Sequence, residues 1–380
     1  MQSIINYYKH LKNVKPFLAK YANYDPNDDK VHILYISPRL CSKEYYSAIL
    51  PGLELNDTLT HSTIMTSIEL YDPDTDYFET IKRIDIRLLK WANYIVFPTI
   101  LSDMKYMISV LRLLYPHLQI VMNLDDNYHK IPNWHSDYRR IVSDTQDQLL
   151  LTLSTLDLCI CHNELLKQQY RSALDFFYKD SSCLVASLPT LVSRKSFENL
   201  SATTAPIISR TRIGVFSASE KFLNFLPSLL EKLREKEPEL SFIIFDYKGA
   251  KKRHIREKSI EFYEGSTYTT YFEDIYELNL KAALFSVSEY SEYQSIYSYL
   301  EMAVLGVPTV VCKTHPASSI IERQESGLLV LEQSDWALHI YRVLEKTNFR
   351  KRLISHSAKT VWKHHSFTRK TLKEITSVFI

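Results

Sequence analysis

Three groups of residues in this chain of 380 have the types and spacing to do chemistry. Glu301 lies one to two turns inside a helical pattern that begins near Ser295 and Ser298 and stops at Gly306. A carboxylate there can accept hydrogen bonds from two ribose hydroxyls, and Ser295 can donate to a phosphate through its hydroxyl and backbone N–H. The plainer readings are a solvated helix glutamate and an N-cap serine. Asp125 and Asp126 follow an apolar run and precede His129 and His135, so an aspartate or an imidazole of that loop could take a proton from an acceptor hydroxyl. An Asx cap on the next turn is the alternative. Phosphate charge would fall to helix N-termini and to Arg212, Lys221, Lys248, Lys251, Lys252 and Arg253. The run from Lys248 is basic enough to read simply as a solvated face. None of these spacings is a metal motif, so no obligatory metal is expected.

The elements that position these residues follow from periodicity. Residues 31–37, 93–98, 118–124 and 155–161 are short apolar runs, with helical stretches at 45–55, 103–115 and 163–177. After a stretch from 187 to 206 rich in Ser, Thr and Pro and without period, the alternation restarts. Strands are expected at 212–216, 240–246, around Phe262, at 280–287 and at 307–311, with a helix over 223–235. Alternating strands and helices imply parallel sheets with helices on both faces. The expected organisation is a helical extension over 1–30, one domain over 31–190 and a second over 207–366.

Composition narrows the function. A hydrophobic content of 45% suits two packed domains, and a net charge of +2 gives no nucleic-acid footprint. Five of the six glycines lie at or beyond Gly214, so the first half holds no glycine-rich phosphate loop of a dehydrogenase or NTPase. Gly306 and Gly327 read as turns that also let backbone approach a ligand. Five scattered cysteines fit a reducing compartment, and Cys159-Ile160-Cys161-His162 reads as a buried strand rather than a metal site. The N-terminal stretch lacks the features of a signal peptide. Its Tyr7, Tyr8, Lys9, Lys12 and Lys15 suit a packing helix or contact with an anionic membrane. A cytoplasmic protein, with the inner face of the membrane as its one peripheral option, is the expectation.

The run YLEMAVLGVPTVV followed by ESGLLV resembles the donor-binding signature of nucleotide-sugar glycosyltransferases of the GT-B type, in particular their bacterial family 4-like, group 1 branch. Residues 45–51, 120–126, 155–166, 213–219, 271–288 and the 350–362 helix are similar to further segments of that branch, in the same order. The resemblance implies α/β architecture with two Rossmann-like parallel-sheet domains facing a central cleft, and a last helix within 367–380 crossing back to the first domain. It also implies a UDP-, GDP- or dTDP-sugar donor near Glu301, Ser295, Ser217, Ser219, Lys221, Arg212 and Gly306. Lys221 is preferred among the cations because it follows the Ser217-Ala218-Ser219 turn. Asp125, Asp126 and His129 would serve the acceptor.

The chain also departs from the family. A second glutamate would fall on Tyr293, and the lysines common in the bacterial branch are replaced at Gln294 and Ser298. The expected function is a metal-independent transferase acting on a glycan, lipid-linked or protein acceptor. The alternatives are a non-catalytic GT-B subunit that stabilises a partner glycosyltransferase, and a nucleic-acid base glycosyltransferase, which the near-neutral charge disfavours.

Overall fold

The computed structural model describes residues 10, 13–14, 16–36, 44–66, 81, 83–97, 104–131, 138, 146–197, 211–216, 218–245, 257–263, 271–286, 295–321 and 325–380. The chain divides into two compact units. The first comprises Met1–Ile131, Asp137–Ser196 and Phe367–Ile380, and the second Pro132–Ser136 and Phe197–Ser366.

The first unit holds strands β1 (Val31–Tyr35), β2 (His61–Met65), β3 (Tyr94–Phe97), β4 (Gln119–Leu124), β5 (Leu158–Cys161) and β6 (Leu184–Ser187). They form one sheet in the order β2-β1-β3-β4-β5-β6, every described pair parallel. The inner strands are mostly apolar because helices cover both faces. Helices here include Met104–Leu114 and Glu164–Phe177, the latter begun by Asn163, whose Oδ1 accepts the Leu166 N–H at 2.7 Å. The helical stretch expected at 45–55 opens with a π-helical turn, Tyr45–Ile49, and continues as Leu50–Leu55.

Two strands of this sheet were not expected. His61–Met65 has three polar residues in five, yet all are buried, because His61, Ser62 and Thr63 find partners in Phe379, Asn23 and Gly52. Leu184–Ser187 is an edge strand, which needs no continuous apolar run. The extension before β1 packs on this unit: the Arg87 guanidinium lies 3.6 Å over the Phe17 ring, and Trp91 Nε1 donates to the Asp25 carbonyl. At the other end of the chain, Tyr94 donates to the Ile380 carbonyl, and Ile375 and Phe379 are buried.

The second unit holds β7 (Arg212–Phe216), β8 (Ser241–Ile244), β9 (Ile260–Phe262), β10 (Ala282–Phe285), β11 (Thr309–Cys312) and β12 (Leu328–Val330). Their order is β12-β11-β10-β7-β8-β9, again all parallel. One face packs Ile213, Val215, Leu284 and Val310 against Leu226 and Leu230 of the Glu220–Arg234 helix and Trp336 and Ile340 of Asp335–Glu345. On the other face Phe216 and Phe285 stand in register on β7 and β10, and Phe245 stacks on the far side of Phe216. Among the described residues no helix is long and apolar enough to cross a membrane.

Candidate functional site

In the second sheet the chain runs from β7 outward through β8 and β9, then returns to place β10 on the other side of β7. In such sheets ligands bind outside the carboxyl ends of the strands at that reversal. The carboxyl ends of β7 and β10 are Phe216 and Phe285, whose rings stack at 5.0 Å and 14°. Phe245 stacks on Phe216 at 4.6 Å and 5°, and Tyr263 continues the row at 4.9 Å from Phe245. A row of aromatic rings, the three phenylalanines buried and Tyr263 half-buried, thus underlies the reversal.

Three of the predicted residues lie at this edge. Ser219 is the N-cap of the Glu220–Arg234 helix and accepts the Phe222 N–H at 3.1 Å, and Lys221 is exposed in the helix's first turn. Glu301 lies in the Tyr297–Val304 helix that leaves the edge after β10, and it is fully buried. Tyr271, which opens the Tyr271–Leu278 helix, donates to Glu301 Oε2 at 3.3 Å. The solvated reading of Glu301 is thereby excluded. A buried carboxylate is kept only when hydrogen bonds replace its hydration, and such a group is already oriented for further donors. Ser295 is half-buried and is not the cap; Ile296 is, and no side chain caps this helix.

Other predicted residues are placed elsewhere. Arg212 opens β7, four residues before Phe216, hence about 13 Å away at 3.3 Å per residue and at the amino edge. Gly306 ends the Tyr297–Val304 helix at φ +73°, where it serves the turn into β11. Ser217, His135, Tyr293, Gln294 and the basic residues from Lys248 to Arg253 lie outside the described residues.

Sequence reasoning missed two residues at this edge. Lys313 is exposed directly after β11 and supplies a cation. His315 is 2% exposed, its ring centroid is 5.5 Å from that of Phe285, and its Nδ1 accepts the Ala317 N–H at 3.1 Å. Burial lowers its pKa from 6.5 to about 3. Between those values the unfolded chain binds a proton that the folded chain does not. Stability is therefore complete above pH 6.5 and falls by about 1.4 kcal/mol per unit as the pH drops through that window. Melting curves from pH 6.5 to 4.5 should show a loss of about 2.7 kcal/mol from this group. His315→Asn should flatten the acid limb, and curves parallel to the wild type would rule the assignment out.

In the first unit, Asp125, Asp126 and His129 come together in the turn that follows β4. Tyr128 Oη donates to Asp125 Oδ1 at 2.5 Å, and Asn127 N–H to Asp126 Oδ1 at 2.8 Å. The Tyr170 hydroxyl donates to the Asp126 carbonyl and accepts the Tyr128 N–H, and burial pushes its pKa well up. Asp126 is nearly buried, whereas Asp125 and His129 are half-exposed. A pocket opens beside β1 and β4, lined by Tyr35, Tyr46, Asn123, His162, Thr190 and Phe379 among others. Asn123 Nδ2 donates to the Ser47 carbonyl, and its buried Oδ1 has no partner among the described residues. Among the described residues, no group of three or more His, Cys, Asp or Glu could hold a metal ion.

No family model and no curated protein matches the chain. Solved structures do. Sucrose-phosphate synthase from Thermosynechococcus elongatus aligns with a TM-score of 0.60 and 13% identity over 92% of this chain and 98% of that one. Anabaena HepE in complex with UDP and glucose gives 0.59 and 11% over 91% and 98%. A Staphylococcus aureus TarM mutant in complex with fondaparinux, α-GlcNAc-glycerol and UDP gives 0.53 and 15% over 75% of this chain, which spans 55% of that longer protein. The chain has the GT-B fold, with two Rossmann-like α/β units.

Proposed function

We propose that this protein is a glycosyltransferase that moves a sugar from a nucleotide-activated donor to a glycan, lipid-linked or protein acceptor, with the donor held by the second unit. One observation carries the reading: Glu301, fully buried, lies about one turn inside the helix that starts at the carboxyl edge of the second sheet, beside the strand reversal. A buried carboxylate near a Rossmann switch point suits a ribose diol, whose two hydroxyls donate to it. Two of the structures similar to this chain hold UDP, in keeping with such a donor.

In this reading Lys221 and Lys313 face the diphosphate, and Ser219 and Ser295 lend hydroxyls. Asp125 is the base or orienting group for the acceptor, with His129 in the same turn. No metal is assigned to the reaction.

The test is nucleotide binding. UDP, GDP, dTDP and ADP are screened by thermal melting, and a ligand at one hundred times its Kd adds about 2.7 kcal/mol of stability. Glu301→Gln keeps the shape but removes the charge, so it should weaken binding of the best nucleotide by about 1.5–3 kcal/mol at an unchanged ligand-free Tm. Normal binding by that variant would remove Glu301 from the site. Failure of all four nucleotides would favour the second reading, a non-catalytic subunit for a partner transferase. That reading is supported by Ser298, a serine in the first turn of a helix that carries no basic residue there.

A further inference from the structure

We propose that His315 presents its Nε2–H, as a neutral hydrogen-bond donor, to the diphosphate of the bound nucleotide. The inference rests on the nucleotide-donor reading above and adds to it a residue that neither the motif nor the predicted site contained.

The geometry fixes what the imidazole can do. His315 follows β11 in a turn closed by its own N–H on the Cys312 carbonyl at 2.9 Å, and its ring leans on Phe285, the last residue of β10. β10 is one of the two strands that flank the reversal. Because Nδ1 accepts the Ala317 N–H, the neutral ring must carry its proton on Nε2. Burial keeps the ring neutral throughout the physiological range. Nε2 has no hydrogen-bond partner among the described residues, although the side chain is almost wholly buried.

A cap alone does not explain this choice. Asn or Ser would accept the Ala317 N–H as well, without the rigid ring whose second nitrogen lacks a partner among the described residues. The surplus is one fixed N–H at the carboxyl edge of the sheet. The acceptor it suits is anionic, since bonds to charged oxygens are the strong ones and the crevice at a Rossmann reversal holds the pyrophosphate. The neighbouring Tyr297–Val304 helix has no basic residue in its first turn, so an uncharged donor here contributes binding that a lysine would otherwise supply.

Two variants separate the two nitrogens. His315→Asn places Oδ1 where Nδ1 was, which keeps the cap and deletes the Nε2–H. His315→Gln reaches the Nε2 position with an amide N–H and gives up the cap. Both are titrated calorimetrically with UDP and UMP, or with the diphosphate and monophosphate of whichever of GDP, dTDP and ADP stabilises the wild type most. The expected result is that His315→Asn keeps the wild-type Tm and loses about 10–100-fold in diphosphate affinity, with the monophosphate changed less than about twofold. His315→Gln should melt earlier yet keep the diphosphate preference. Wild-type diphosphate affinity in a folded His315→Asn protein overturns the inference and leaves the nucleotide reading standing. If His315→Asn does not fold, His315→Gln decides: a retained diphosphate preference supports the role and its loss overturns it. A wild type that binds none of the nucleotides overturns the donor reading, and this inference with it.

Discussion

Phe216→Ala is expected to destabilise the second unit by about 3–5 kcal/mol, the range for emptying a buried aromatic site. Phe216 is the middle ring of the row, with Phe245 at 4.6 Å on one side and Phe285 at 5.0 Å on the other, and each stacked pair adds about 0.5–1.5 kcal/mol beyond burial. Gly214, two residues earlier on the same face, leaves room for this ring: a Cβ there would come within 2.9 Å of Phe216 Cε2 and of Leu280 Cδ1. Segment-resolved hydrogen exchange should show β7 and β10 losing protection while β1, β3 and β4 keep theirs. Nucleotide affinity should fall as well, since the row underlies the strand reversal. Unchanged exchange in β7 and β10 would mean that the row contributes little.

Asp125→Asn should lower turnover by about 10²–10⁴-fold, the usual contribution of a general acid–base group, while nucleotide affinity stays near that of the wild type. The hydroxyl of Tyr128 holds the Asp125 carboxylate, and the side chain remains half-exposed. Asp126 differs. Its carboxylate takes the Asn127 N–H, its carbonyl takes the Tyr170 hydroxyl, and it is only 5% exposed. Asp126→Asn should therefore reduce stability more than rate. Steady-state kinetics on both variants decide the matter, and a full rate in Asp125→Asn transfers the role to His129. Transfer should also persist in excess chelator; its loss there, restored by magnesium or manganese, would refute a metal-independent reaction.

Much of the scaffold was legible because parallel strands covered on both faces leave apolar runs. Arg212–Phe216 was read to the residue, and the expected runs at 118–124 and 155–161 contain β4 and β5. What escaped was held by distant polar partners or lay at an edge. The buried hydroxyl of Thr63 is satisfied by the carbonyl of Gly52, a pairing that no local pattern announces. Leu328–Val330 read only as part of the ESGLLV signature, and in the fold it is the outermost strand of the second sheet.

The site divides in the same way. The ordered motif pointed to Glu301, but its burial and its bond from Tyr271, thirty residues away in sequence, are tertiary facts. Arg212 carried a suitable charge, yet it precedes its strand's apolar residues, and the ligand edge of a parallel sheet lies after them. His315 gave no signal because its role depends on which ring nitrogen the backbone of Ala317 occupies.

The return of residues 367–380 to the first unit sets an order of events during synthesis. Ile375 and Phe379 are buried there, and the Phe379 and Ile380 carbonyls meet His61 and Tyr94. These fourteen residues leave the ribosome only after the whole second unit has been made. At about 5–20 residues per second, the 170 residues from Phe197 to Ser366 hold that face open for about 10–30 s of translation. The nascent first unit therefore spends that interval with this apolar face uncovered, and a stalled or truncated chain would be released in the same state.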